Sequence, residues 1–183
     1  YQTPNMEKYH FTKSVEDILQ RFAKLKAEEG YDIIFEHDED VWICGDEVKI
    51  SQAVYNLIIN AITHAGEDKQ VIVRQRLVRH VQNRKSKDRV EELFVRIEVI
   101  DHGEGIEKDK LKDIWQRYYK VDKTHKRAHM GTGLGLSIVR NVLDMHEARY
   151  GVESKVGQGS TFWFEIALSS DWHKATERTI DLN

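Results

Sequence analysis

The residues best suited to chemistry fall into a few groups, the tightest being Gly131-Thr132-Gly133-Leu134-Gly135-Leu136. Glycines at alternate positions leave gaps where side chains would pack and let another group approach the main chain closely. Leu136, Ile138, Val139, Val142, Leu143 and Met145 follow at helical spacing, so the glycines sit where a helix begins. The free N–H groups and dipole of a helix start suit an anion such as phosphate, although plain turns also use glycines. The run lacks the Gly-Lys-Ser/Thr ending of a P-loop, follows no strand, and does not have the Gly-x-Gly-x-x-Gly spacing of a dinucleotide site. A second group, Asp101-His102-Gly103-Glu104-Gly105-Ile106, puts a carboxylate at a strand end before two glycines. It suits either a ligand lying against the sheet edge or a simple loop. The third group is Gln52, Asn56, Asn60 and His64, one polar row along a helix. That row is either a solvent stripe or a line of amides aimed into a cleft to hold a ligand or a hydrated metal.

Composition bounds the rest. At 183 residues, with 40% hydrophobic and 32% charged residues, the chain is an ordinary globular domain with short extensions. A net charge of -3 exerts no general pull toward nucleic acid or an anionic membrane. Cys44 is the only cysteine, which excludes an internal disulfide and a cysteine-rich metal site and fits a reducing compartment. No apolar run is long enough to cross a bilayer and no secretory signal is visible, so a cytoplasmic location is expected for this stretch. The chain starts at Tyr1 rather than Met, so it is expected to belong to a longer protein, and an upstream membrane anchor stays open.

The elements that must position these groups can be read in order. Residues 1–10 read as a linker. Val15, Ile18, Leu19, Phe22 and Leu25 form the stripe of one helix, stopped at Gly30. Two short strands, Tyr31 to Glu36 and Val41 to Cys44, flank the acidic turn His37-Asp38-Glu39-Asp40. The amide row lies on a second helix from Asp46 to Ala65, buried through Ile50, Val54, Leu57, Ile58, Ala61 and Ile62. Strands follow at Val71 to Val78 and Leu93 to Ile100, with His80 to Glu92 as a solvated hairpin tip. Its Arg84-Lys85-Ser86-Lys87 run is too short to argue for nucleic-acid binding. Lys108 to Met130 is too long for a simple connection and is read as a lid. It has one helical piece, Leu111 to Tyr119, and a basic end of Lys120, Lys123, Lys126 and Arg127. Arg149 to Glu153 and Ser160 to Leu168 form a closing hairpin, with Phe162, Phe164, Ile166 and Leu168 facing inward. Residues 169–183 read as a tail.

Asn56-Leu-Ile-Ile-Asn60-Ala61, Asp101-x-Gly103-x-Gly105, Trp115-Gln-Arg-Tyr118-Tyr119-Lys120, Gly131-Thr-Gly133-Leu-Gly135-Leu and Gly157-Gln-Gly159-Ser-Thr161-Phe162 stand in the order of five known boxes. In that order they resemble the N, G1, F, G2 and G3 boxes of the catalytic ATP-binding domain of bacterial sensor histidine kinases. This domain is a branch of the superfamily shared with gyrase B, heat-shock protein 90 chaperones and mismatch-repair ATPases. The resemblance implies an α+β fold over residues 11–168. Its parts would be a two-layer sandwich, a mixed, largely antiparallel sheet of about five strands, three main helices on one face, and a lid near residues 103–132. It implies ATP and Mg²⁺ as cofactors. Asp101 would accept from the adenine amino group, beside Gly103, Gly105 and Ile106, and Thr161 would help to fix the base. Asn60 would hold Mg²⁺ with Asn56 one turn away; Gly131, Thr132, Gly133, Leu134, Gly135 and Leu136 would cradle phosphates. Tyr118 and Lys120 would close from the lid, Lys120 neutralising the transferred group.

The resemblance further implies a protein histidine kinase whose γ-phosphoryl acceptor lies on a helical hairpin upstream, with a response regulator downstream. Because dimerisation in that family comes from the missing hairpin, the resemblance implies a monomeric fragment, and its charge leads to no expected contact with nucleic acid or a membrane. Where the hydrolysing branches place a glutamate, this chain has Asn56, an amide that cannot take a proton from water, so another acceptor is implied. Trp115 replaces the usual phenylalanine of the F box. Thr63-His64 stands where many kinases have a lysine, leaving His64 either a phosphate contact or a polar helix end. No histidine here has the acceptor's setting, and His146-Glu147-Ala148-Arg149 lacks its proline. His102, His125 and His129 are surface histidines or, in a second reading, a metal cluster. Two alternative functions stand beside the first: an anti-sigma-type serine kinase and a non-catalytic nucleotide-binding module.

Overall fold

The computed structural model describes residues 3–83, 89–116 and 135–168. Its strands are β1 (Glu7–His10), β2 (Asp32–Glu36), β3 (Trp42–Gly45), β4 (Gln70–Asn83), β5 (Arg89–Asp101), β6 (Arg149–Lys155) and β7 (Gly159–Ala167). Its α-helices are α1 (Phe11–Gln20), α2 (Ala23–Glu29), α3 (Glu47–His64) and α4 (Gly135–Met145). Five strands make one sheet in the order β2-β4-β5-β7-β6. Only β2 and β4 run parallel; the other neighbours are antiparallel. The α1, α3 and α4 stripes supply Val15, Ile18, Leu57, Ile58, Ile62, Val139 and Leu143, which share one core with Val73, Val95, Ile97, Val99 and Phe164 of the sheet. This is the two-layer α+β sandwich expected, with three main helices on one face.

Local departures have physical causes. Residues 7–10, read as linker, form β1, which pairs antiparallel with β3 from Glu7↔Gly45 to His10↔Trp42. The stripe from Val15 to Leu25 belongs to two helices. Arg21 and Phe22 close the first with bonds to the carbonyls of Ile18 and Leu19, and Phe22 turns to φ -96, ψ 3. Phe22 is buried and stacked on Tyr55 at 5.1 Å, so packing sets the break. Gly30 then closes α2 at φ 73, its N–H bonded to the Lys26 carbonyl, as the C-cap reading expects. The β4–β5 ladder continues to Asn83↔Arg89, so His80, Glu91 and Glu92 are strand residues rather than tip. Arg84-Lys85-Ser86-Lys87 lies outside the described residues. Of the helical piece expected from Leu111 to Tyr119, the described part, to Gln116, is instead a chain of i→i+3 turns, with Lys110, Asp113 and Gln116 bonded to Glu107, Lys110 and Asp113. The rest lies outside the described residues. Ile114 and Trp115 anchor it, Trp115 meeting Tyr150 and Phe162 edge-on at 5.1 and 5.6 Å.

Candidate functional site

Strand alternation sends Val95, Ile97 and Val99 into the core, and Asp101 follows them on the same face at the end of β5. The loop after it is held between two neighbours by glycines. A Cβ on Gly103 would overlap the His64 carbonyl at the end of α3, and one on Gly159 would overlap the Asp101 carbonyl. Gly105 sits at φ +76 against the Lys155 carbonyl, a conformation and a clearance only glycine supplies. Two bonds complete the seam: Gly157 N–H to Glu104 O at 2.7 Å, and Ile106 N–H to Ser154 Oγ at 2.8 Å.

Asp101 is 2% exposed. Its Oδ1 accepts the Gly103 N–H at 2.9 Å, whereas Oδ2 is buried with no hydrogen-bond partner among the described residues. Burial pushes its carboxyl up to about 6, against the opposing pull of the Gly103 N–H, the His102 ring and the Ser160 N–H. A buried acceptor without a donor is costly, and such an atom calls for an N–H or O–H from a ligand or from water.

The hydroxyl beside this carboxylate is not the one expected. Phe162, Phe164 and Ile166 of β7 face the helices, so Ser160 shares their side and pairs in register with Asp101. Thr161, paired with Ile100, lies on the opposite side, with Trp163 and Glu165. The period of two along β7 already contained this assignment, because an inward Phe162 forces an inward residue 160.

Helix α3 brings up the amides. Asp46 caps it, accepting the Lys49 N–H at 3.1 Å and the Asn5 N–H at 2.8 Å, while its own N–H is held by His146 Nε2 at 3.0 Å. Asn56, Asn60 and His64 are half-buried along one face, and Gln52 at the start of the row is exposed. The backbone carbonyl of His64 lies against Gly103, so the C-terminal end of α3 adjoins the loop that follows Asp101. Gly135 opens α4, Leu136 is half-buried, and α4 lies against α3. Tyr118, Lys120, Gly131, Thr132, Gly133 and Leu134 lie outside the described residues, as do His125 and His129. His102 is bonded to Asp68 at 2.7 Å. No group of three or more His, Cys, Asp or Glu side chains able to hold a metal occurs among the described residues. A metal here would rest on amide oxygens, phosphates and water, a donor set that suits Mg²⁺.

Residues 45–170 match the family described as histidine kinase-, DNA gyrase B- and HSP90-like ATPase. The sensor histidine kinase AruS of Pseudomonas aeruginosa is 39% identical over 127 residues, 68% of this chain and 12% of that protein. The autoinducer 2 sensor kinase/phosphatase LuxQ of Vibrio vulnificus is 30% identical over 162 residues, 87% of this chain and 18% of its own length. The chain therefore spans less than a fifth of these two relatives. Among solved structures, the nucleotide-free catalytic domain of histidine kinase ThkA superposes with a TM-score of 0.67 at 23% identity, covering 90% of this chain and 96% of that one.

Proposed function

The chain belongs to the histidine kinase-, DNA gyrase B- and HSP90-like ATPase family, as the ATP-binding domain of a sensor histidine kinase. From that premise we propose that it binds Mg-ATP and delivers the γ-phosphoryl group to a histidine on a helical hairpin elsewhere in its parent protein, with a response regulator downstream. The observation that carries the nucleotide reading is the unpaired Oδ2 of Asp101. An adenine amino group supplies the donor this atom lacks, whereas the carbonyl of guanine would set acceptor against acceptor. Ser160, in place of Thr161, is the second group on the base side. Gly103 donates its N–H to Asp101 Oδ1, and Gly105 and Ile106 tie the loop that carries it to Lys155 and Ser154.

At the other end, the Asn60 amide oxygen would hold Mg²⁺, with Asn56 lining the phosphates. The metal supplies charge neutralisation at the phosphates when bound. Gly135 and Leu136 present the start of α4 toward them, and Gly131, Thr132, Gly133, Leu134, Tyr118 and Lys120 join this reading by sequence alone. Asn56 offers no base to activate water, which supports transfer to a protein acceptor over hydrolysis.

Calorimetric titration with a non-hydrolysable ATP analogue tests the site. Wild type is expected to bind more tightly with Mg²⁺ than without, and Asn60→Ala to abolish that difference while retaining metal-free binding. Absence of binding under every condition overturns the proposal. In the parent protein, an acid-labile phosphorylated product is expected; an acid-stable phosphoester would identify a serine kinase instead, and tight binding without any transfer a regulatory module.

A further inference from the structure

Behind the base-side wall, Ser154 on β6 makes three hydrogen bonds with one hydroxyl. Its Oγ accepts the Ile106 N–H at 2.8 Å, contacts the Gly159 carbonyl at 2.9 Å and contacts Ser160 Oγ at 2.8 Å. The proton inventory has one solution that satisfies all three. Ile106 supplies its own proton. The Gly159 carbonyl has none to give, so Ser154 donates there, and the bond between the two hydroxyls must use the proton of Ser160. Ser160 is then left with lone pairs only. It stands across the ladder from Asp101, on the same face of the sheet, at the separation of a directly opposed pair. The unpaired Oδ2 of Asp101 is likewise an acceptor.

We propose that Ser154 is a specificity-determining positioning residue, which fixes Ser160 as an acceptor so that the base pocket presents only acceptors and selects a 6-amino purine over a 6-oxo purine. This rests on the nucleotide reading above. An exocyclic amino group carries two hydrogens and can serve both acceptors, directly or through one water, while a 6-oxo group can serve neither. Without the Ser154 hydroxyl, Ser160 regains a free proton and can donate to a 6-oxo group.

The test is titration of the 183-residue chain with ADP and with IDP, which differ at the purine 6-position. Wild type is expected to favour ADP. Ser154→Ala is expected to narrow the ADP/IDP affinity ratio by about 3- to 10-fold, the worth of one hydrogen bond. Ser154→Thr keeps the hydroxyl and is expected to keep the ratio. In a Ser160→Ala background, Ser154→Ala is expected to leave the ratio unchanged, because its effect passes through Ser160. Thermal melting checks that each variant is folded. Equal weakening of both nucleotides by Ser154→Ala, with the ratio intact, would make Ser154 a structural residue and overturn the inference alone. Failure of wild type to bind either nucleotide would overturn the nucleotide reading together with it.

Discussion

Both faces of the central sheet bury carboxylates, and Asp101 and Glu165 are treated in opposite ways. On the helix face Asp101 is 2% exposed, with one oxygen left unpaired and its carboxyl pushed up to about 6 by burial. On the open face the Glu165 side chain is 4% exposed, yet burial is outweighed there. Arg96 donates to it at 2.8 Å and His80 at 2.6 Å, holding it below the usual carboxylate range. The same guanidinium lies over the Trp163 ring at 4.1 Å, and Arg76 reaches Glu98 at 2.8 Å. Glu165 is therefore neutralised by side chains of its own face. Even Glu98 Oε1, which like Arg96 Nε lacks a hydrogen-bond partner among the described residues, keeps an ion pair with Arg76. By contrast, no hydrogen bond or ion pair to Oδ2 of Asp101 occurs among the described residues. Equal burial with unequal pairing is what the proposed function expects of a carboxylate that stabilises the fold beside one that takes a ligand.

Substituting one side chain on each face should separate the two carboxylates most sharply. Asp101→Asn is expected to weaken ATP-analogue binding by about 10- to 100-fold, the worth of a hydrogen bond to a charged group. The same change should raise stability at neutral pH by about 1–3 kcal/mol, because a buried uncompensated charge disappears. Calorimetry and urea unfolding read the two effects, and parallel losses of binding and stability would deny Asp101 its ligand role. Arg96→Ala should do the reverse. Leaving Glu165 and Glu98 without their shared cation is expected to cost about 2–3 kcal/mol, less than a fully interior pair because Arg76 and Glu153 flank it at the surface. Analogue affinity should stay within about twofold.

The opposite shifts also predict opposite pH slopes. For Asp101 the folded value lies above the ordinary 3.8, so its contribution to stability is fully present below that value and is lost as pH rises through about 6. For Glu165 the folded value lies below the ordinary 4.5, so its contribution is present above 4.5 and is lost as pH falls through the lowered value. Unfolding free energies between pH 4 and pH 7 should therefore decline in wild type relative to Asp101→Asn, while Glu165→Gln should change only the acid limb. Because the base amine needs the ionised carboxylate, nucleotide affinity should fall by up to about tenfold per unit below pH 6, with proton release on binding.

The layers of this fold were legible where the period was strong and local. The alternation of Val95, Ile97 and Val99, the stripe of α3 and the closing hairpin each carry their own signal within a few residues. β1 carries none, because a four-residue strand is specified by its partner β3, more than thirty residues further along. The break at Phe22 was hidden for the same reason, its cause being the distant Tyr55 ring. Within the site, Asp101, Gly103 and Gly105 could be read only from their place in the order of the five boxes, since a strand-end carboxylate before two glycines suits a simple loop equally well. The node at Ser154 could not, because it joins β6, the Gly103 loop and β7 through side-chain geometry.

The smallest expected effect separates the two faces at adjacent positions of one strand. Ser160 and Thr161 are both hydroxyl residues, and residue type alone favours neither. Register assigns Ser160 to the side of Asp101 and Thr161 to the side of Glu165. Ser160→Ala is therefore expected to weaken ADP binding by about 3- to 10-fold through the loss of one base-side hydrogen bond. Thr161→Val, nearly equal in shape, should leave affinity within about twofold, since its hydroxyl points away from the base. Titration of the two variants side by side decides the matter, because each controls for the other's effect on the strand. A loss confined to Thr161→Val would mean that the open face, not the helix face, holds the ligand, and the meaning of the unpaired oxygen on Asp101 would have to be sought elsewhere.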